Sequence, residues 1–321
     1  MSRDYRETVP QPVRPRLVVV TGASSGIGRA TAQRLAAAGE SLVLMARSEH
    51  RLGDVLQECK EAGATGAEAV PVDVLDAGAV QAAMDGVLER HGRIDAVVHA
   101  AGLAGYGRIE EMPVEVFDAV LRTNVLGSVN VARSVLPLMR ERDAGVIVLV
   151  GSVIGHIAVP RMTPYVVSKW AVRSLARQLQ LDNRDRRGVH VCLVEPGPVD
   201  TPIYVQSATY QGHTGRPPPP VLKPERVARA ITEVIDRPRK RVDVGSANWA
   251  LKAGFTLAPG LYDVLVGPLY KLGATDPHLT GPTPGNALAP NEDKERLRGG
   301  QMGLGRALLV RLTRPATRTF V

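Results

Sequence analysis

Between residues 16 and 196, short apolar runs alternate with stretches of helical pattern, and this alternation limits the fold more than any other feature. The runs are 16–21 (RLVVVT), 41–46 (SLVLMA), 67–72, 94–99 (IDAVVH), 145–150 (GVIVLV) and 189–194 (VHVCLV). Each is short and mostly apolar, as expected of strands buried in a parallel sheet. Helical patterns fill the gaps, from Gly28 through Ala38 and then over 49–62, 76–91, 114–141 and 163–185. The expected class is therefore α/β, a doubly wound parallel sheet with helices on both faces. In such sheets ligands bind beyond the carboxyl ends of the strands. Gly22, Arg47, Asp73, Gly102, Ser152 and Pro196 all fall at such ends, which predicts one site there.

A chain of 321 residues suffices for one large α/β domain or two small ones. Hydrophobic residues make up 44% and charged ones 22%, ordinary values for a soluble protein, and the 4% of aromatics leaves the core to Val, Leu, Ala and Ile. The formal net charge is +8, of which residues 1–16 carry +2 and residues 292–321 carry +4. The excess sits in the tails, which argues against a nucleic-acid groove. Cys59 and Cys192 stand far apart without a motif, so neither a disulfide framework nor a zinc site is expected, and a cytoplasmic location fits. Residues 1–15 are polar, hold three prolines and have no apolar core, so they read as a loose arm and not a secretory signal. No run of about 18 or more apolar residues predicts a transmembrane helix.

The first apolar run passes straight into Gly22-Ala23-Ser24-Ser25-Gly26-Ile27-Gly28 and then an alanine-rich helix. Strand, glycine-rich turn and helix N-terminus make a phosphate cradle: the glycines admit a pyrophosphate close to the backbone, and the helix supplies unpaired N–H groups. After the second strand come Arg47 and Ser48, with no acid. An acid at this point bonds the ribose 2′-hydroxyl of NAD, whereas an Arg accommodates the 2′-phosphate of NADP, so NADP is expected over NAD. Asp73 and Val74 end the third strand, where they could lie along an adenine, and Ala101 and Gly102 let the backbone pass close to a ligand. Asn124 lies inside a long helical region, as a functional amide or a satisfied core one. Tyr165 and Lys169 are four apart on the next helix, on one face. An ammonium beside the phenol is expected to lower its pKa toward neutrality; by itself the pair is equally a solvated helix face.

Beyond Thr201 the pattern breaks into a loop ending in four prolines, followed by a helix over 224–236 and a strand over 241–245. Residues 203–223 are expected to form a lid beside the site. Residues 246–273 are apolar and expected as two helical pieces around Pro259-Gly260, residues 275–300 as linker, and residues 304–314 as a short basic amphipathic helix. This divides the chain into an arm (1–15), a cofactor-binding and catalytic domain (16–245) and a C-terminal extension (246–321). The apolar and basic segments of the extension could dock on a membrane. Because Pro and Gly interrupt any long amphipathic face, they are expected instead to cover the substrate pocket or a partner subunit.

Taken together, Thr21-Gly22-x-x-x-Gly26-x-Gly28, Asp73, Asn124, Ser152, Tyr165-x-x-x-Lys169 and Pro196-Gly197 resemble the short-chain dehydrogenase/reductase family over about residues 16–245, in its compact single-domain branch with a Rossmann fold. One departure is His99-Ala100-Ala101-Gly102, where the family often has Asn-Asn-Ala-Gly; His99 reads as a packed polar residue. The resemblance implies a nicotinamide cofactor, a small-molecule carbonyl or alcohol substrate, and a homo-oligomer; the lid over 203–223 and the apolar segment 246–273 point to a fairly large, apolar carbonyl compound. It implies Tyr165 as general acid or base, Lys169 lowering its pKa and bonding the nicotinamide ribose, Ser152 as donor to the carbonyl oxygen, and Asn124 holding a water that links Lys169 to solvent. Gly197, Val199 and Thr201 would flank the nicotinamide end. His156 and His213 are expected as surface or lid residues. A non-catalytic dinucleotide sensor of the same fold is the rival reading; relatives of that kind usually lose the tyrosine or lysine, and both are present here.

Overall fold

The computed structural model describes residues 15–300 and Gly305. The expected N-terminal arm (except Pro15) and most of the expected basic helix over 304–314 lie outside the described residues. Seven parallel strands form the main sheet: β1 (Leu17–Thr21), β2 (Ser41–Ala46), β3 (Gly66–Pro71), β4 (Ala96–His99), β5 (Gly145–Val150), β6 (Val189–Pro196) and β7 (Arg241–Val244). Their order is β3-β2-β1-β4-β5-β6-β7, so the winding reverses between β1 and β4. That reversal opens a crevice above Thr21 and His99, which pair in register.

Alternation within each strand builds two cores. Val19, Val97 and Ile147 point to one face, under α3 (Ala77–His91), α5 (Gly127–Arg142) and α6 (Thr163–Asp182). Val18, Val20, Val98 and Val148 point to the other, under α1 (Gly26–Ala37), α2 (Glu49–Ala62) and α7 (Pro224–Asp236). Each valine is under 1% exposed, and removing such a side chain typically costs about 2–4 kcal/mol. Capping sets the helix limits. Ser48 Oγ accepts the Arg51 N–H at 3.3 Å to open α2, and Gly63 closes it in the left-handed region at φ 108°. Asp76 accepts the Ala79 N–H at 2.9 Å to open α3.

The long helical region 114–141 is not continuous. A π turn over Arg122–Leu126 separates α4 (Val114–Leu121) from α5. Residues 246–273 divide as expected, into α8 (Asn248–Leu257) and α9 (Pro259–Gly273). Their inner side carries Phe255, stacked edge-on against Trp170 and Tyr262. Their outer side exposes Trp249, Leu257, Leu261, Val264 and Leu269. Among the described residues, no helix is long and apolar enough to cross a membrane.

Residues 275–300 depart from the linker expectation. Thr275–Leu279 pairs antiparallel with His213–Gly215, inside the expected lid, and the chain then lies across the carboxyl ends of the sheet. Its Pro and Gly content serves close packing instead of flexibility. Gly285 sits at φ 56°, where a Cβ would stand 2.2 Å from the Gln206 carbonyl oxygen.

Candidate active site

Tyr165 and Lys169 stand one turn apart near the start of α6. Lys169 is 7% exposed; its Nζ donates to the Val150 carbonyl at 3.0 Å and lies 5.6 Å from the centroid of the Tyr165 ring. The Tyr165 hydroxyl faces the side chain of Ser152. Ser152 in turn caps the 3₁₀ turn Val153–His156, accepting the Ile154 N–H at 3.3 Å. Burial pushes the Tyr165 phenol up to about 12, opposed by the Ser152 hydroxyl. Burial also pushes Lys169 down to about 8. The expected fall in the tyrosine pKa is thus reversed here: desolvation outweighs the helpful contacts, and the Lys169 ammonium is turned to the end of β5 instead of the phenol.

Asn124 occupies the π turn and is 1% exposed. Its Oδ1 accepts the Leu103 N–H at 2.7 Å, and its Nδ2 donates to the Leu103 carbonyl at 2.9 Å and to Ser168 Oγ at 2.8 Å. Ser168 passes the chain on to the Tyr165 carbonyl at 2.8 Å. A Cβ on Gly102 would lie 3.1 Å from Asn124 Oδ1 and 3.8 Å from Lys169 Nζ, so three of these residues meet at one point. The extra residue of a π turn re-aims a side chain, which is how a mid-helix amide reaches the end of β4.

A cleft runs along the strand ends and meets this group at Gly102, while Asn124, Ser152, Tyr165 and Lys169 lie behind its lining. Gly22, Ser24, Ser25, Gly26, Ile27, Arg47, Asp73, Val74, Ala101, Gly102 and Thr201 line it, as the sequence predicts. Thr123, Ile203, Gln206, Asn286 and Glu295 also line it and were not foreseen. The glycine turn fits a dinucleotide. A Cβ on Gly22 (φ 66°) would stand 2.6 Å from the Ala101 amide nitrogen, and one on Gly28 would stand 2.1 Å from the Gly22 oxygen. Only bare backbone brings β1, α1 and β4 this close, leaving a cradle for a diphosphate.

Other expected residues sit behind the wall. The Val199 side chain, 5% exposed, belongs to the core under α7 rather than to the cleft, because its backbone bridges to Leu222. Gly197 is close-packed, with a Cβ site 2.7 Å from Asn248 Oδ1, and Pro196 is the last residue of β6, paired with Val244. Ser48 is 2% exposed and bonds to Glu292.

Two histidines flank the site. His99 is buried, its Nδ1 2.8 Å from Thr21 Oγ1, and burial next to Lys169 pushes its pKa down to about 3, so it is a neutral packed residue as expected. His156 is not the surface or lid residue expected. Its Nε2 lies 2.7 Å from Glu195 Oε1, and Glu195, with a 1% exposed side chain, also takes Lys252 at 3.3 Å. Tyr165 packs against a buried core cluster of Tyr106, Met162 and Tyr270, which Tyr204 and Val159 also join.

Comparison with known proteins gives the same picture. A family model described as short chain dehydrogenase matches residues 16–211. Dehydrogenase/reductase SDR family member 7 from Homo sapiens is 38% identical over 194 residues, which are 60% of this chain and 57% of that protein, so the match spans little more than half the relative's length. Among solved structures, an alcohol dehydrogenase from Thermococcus sibiricus complexed with 5-hydroxy-NADP is 32% identical, with a TM-score of 0.61 over 72% of this chain and 94% of that one. A short chain dehydrogenase/reductase from Burkholderia phymatum in complex with NAD is 28% identical, with a TM-score of 0.68 over 77% of this chain and 95% of that one.

Proposed function

The chain belongs to the short-chain dehydrogenase family, and we propose that it is an NADP(H)-dependent oxidoreductase interconverting a ketone or aldehyde and an alcohol. The observation that carries this reading is the Tyr165 hydroxyl facing the Ser152 side chain, with Lys169 and Asn124 meeting at Gly102, which lines a cleft floored by the glycine turn. A substrate oxygen within reach of both hydroxyls would take two hydrogen bonds where negative charge develops. Tyr165 would give its proton in reduction and take one in oxidation. Because the phenol sits at about 12 here, it is protonated at neutral pH and set for the acid role. A bound nicotinamide would supply the redox chemistry, exchanging hydride with the substrate carbon. Lys169 would bond the nicotinamide ribose, and Asn124 would fix the turn that carries the proton route.

Arg47, with Arg51 one turn into α2, supports NADP over NAD, since both cations stand at the end of β2 and the turn itself holds no acid. The apolar cluster of Tyr106, Met162 and Tyr270 against Tyr165, together with the apolar helices α8 and α9, supports a bulky apolar carbonyl compound as substrate. Turnover with NADPH and a panel of bulky and small polar ketones tests both parts. Tyr165→Phe is expected to lower turnover by about 10²- to 10⁴-fold while cofactor affinity stays the same. Equal turnover in wild type and variant would overturn the reading. Arg47→Ala is expected to narrow the preference for NADPH over NADH; an unchanged preference would remove Arg47 from the cofactor site.

A further inference from the structure

Residues 280–300 form a strap across the nucleotide half of the cleft, tied at both ends. At one end the Thr209 and Thr283 backbones bond each other in both directions at 2.9 Å, and the Asn286 N–H donates to the Gln206 carbonyl at 2.8 Å. Ala287 is buried there beside Leu103 and Val116. At the other end the Gly299 N–H donates to Asp200 Oδ1 at 3.1 Å, and Arg298 pairs with Glu225 at 2.6 Å.

Between these ties Lys294 donates to the Val205 carbonyl at 3.1 Å, but the groups best suited to hold phosphate are met by acceptors of the strap. The Arg296 carbonyl accepts the Gly26 N–H at 3.1 Å. The Asn286 carbonyl accepts Arg47 Nη2 at 3.0 Å. The Glu292 carboxylate accepts Ser48 Oγ at 2.8 Å, and its carbonyl accepts Arg51 Nε at 3.0 Å. The Glu295 carboxyl faces the Ser24 side chain, and its oxygen Oε2 is buried without a partner. Burial and neighbouring Glu292 push Glu295 up, while Ser24, Arg47 and Arg51 pull it back. Two carboxylates therefore occupy the surroundings in which a 2′-phosphate would find its donors.

We infer that Glu292 and Glu295 are cofactor-specificity residues: they hold the anion positions around Ser24, Arg47, Ser48 and Arg51 in competition with a 2′-phosphate. The acid missing from the end of β2 is thus supplied from the far end of the chain. A ribose hydroxyl can donate to Glu295 Oε2, whereas a phosphate dianion meets like charge and must displace both carboxylates from their donors. The penalty falls on NADP(H) and spares NAD(H), so the two carboxylates narrow the preference for NADP(H) that Arg47 and Arg51 set at the end of β2. This inference rests on the reading of the cleft as a nicotinamide dinucleotide site.

The test uses the full chain with Glu292→Gln, Glu295→Gln and the double substitution, each nearly isosteric so that the strap keeps its packing. Dissociation constants for NADPH and NADH are measured by calorimetry, and melting temperatures check the fold. The double variant is expected to bind NADPH about tenfold or more tightly than wild type, with NADH changed by less than about threefold. NADPH affinity that is unchanged or weaker, with both dinucleotides still bound, would overturn the inference and leave the cofactor reading standing. Binding of neither dinucleotide to wild type or variant would remove the cofactor reading and this inference together.

Discussion

The side-chain amide of Asn124 donates to Ser168 Oγ at 2.8 Å, and Ser168 immediately precedes Lys169 on α6. This bond joins the π turn between α4 and α5 to the helix that carries both Tyr165 and Lys169. Asn124 also satisfies the N–H and the carbonyl of Leu103, so one side chain serves three elements.

Asn124→Ala is therefore expected to destabilise the protein by about 2–4 kcal/mol, because two buried backbone groups lose their partner and a cavity opens. Urea denaturation followed by circular dichroism measures this. A loss under about 0.5 kcal/mol would show that water replaces the amide fully.

Lys169 makes stability depend on pH. Its folded-state pKa of about 8 lies below the ordinary 10.5, so above about pH 8 the unfolded chain binds more protons than the folded one. Stability arising from this group then rises with pH up to about 10.5. Measured against Lys169→Met to cancel other groups, wild type is expected to gain about 2 kcal/mol between pH 7 and pH 9.5. A flat difference would mean that the ammonium is solvated.

Glu195 gathers His156, Lys252 and, at 3.7 Å, Arg241 around one buried carboxylate at the end of β6. Removing it strands the Lys252 ammonium, whose side chain is only 17% exposed and whose other partner is Asp243. Glu195→Ala is expected to cost about 3–5 kcal/mol and to speed amide exchange in α8, which Lys252 ties to the sheet. Exchange changes confined to the 3₁₀ turn at His156 would place the energy on the histidine contact instead.

Local pattern carried most of the fold. Val- and Leu-rich runs bounded by turn residues located the seven strands to within a few residues, since a strand buried on both faces has little latitude in composition. The glycine turn was equally legible, because Gly22 and Gly28 stand where a Cβ would collide with backbone. Asn124, Ser152, Tyr165 and Lys169 could be named from spacing and resemblance, and they do converge. Their protonation could not be read that way. Burial decides it, and the phenol and ammonium are both pushed toward neutral forms. His156 was missed because its partner Glu195 is 39 residues away.

What the sequence determined by itself is the α/β class, the glycine-rich turn and the candidate residues Asn124, Ser152, Tyr165 and Lys169. Each follows from short-range periodicity or from residue types few backbones permit. What only tertiary structure decided is the use of the C-terminal segment. Residues 275–300 carry no periodicity, so their composition reads as linker. Yet Arg296 meets Gly26 and Glu292 meets Ser48, contacts between acceptors and donors more than 240 residues apart. Hydrogen bonds of that span leave no imprint on local pattern, and the folded sheet alone brings their ends together.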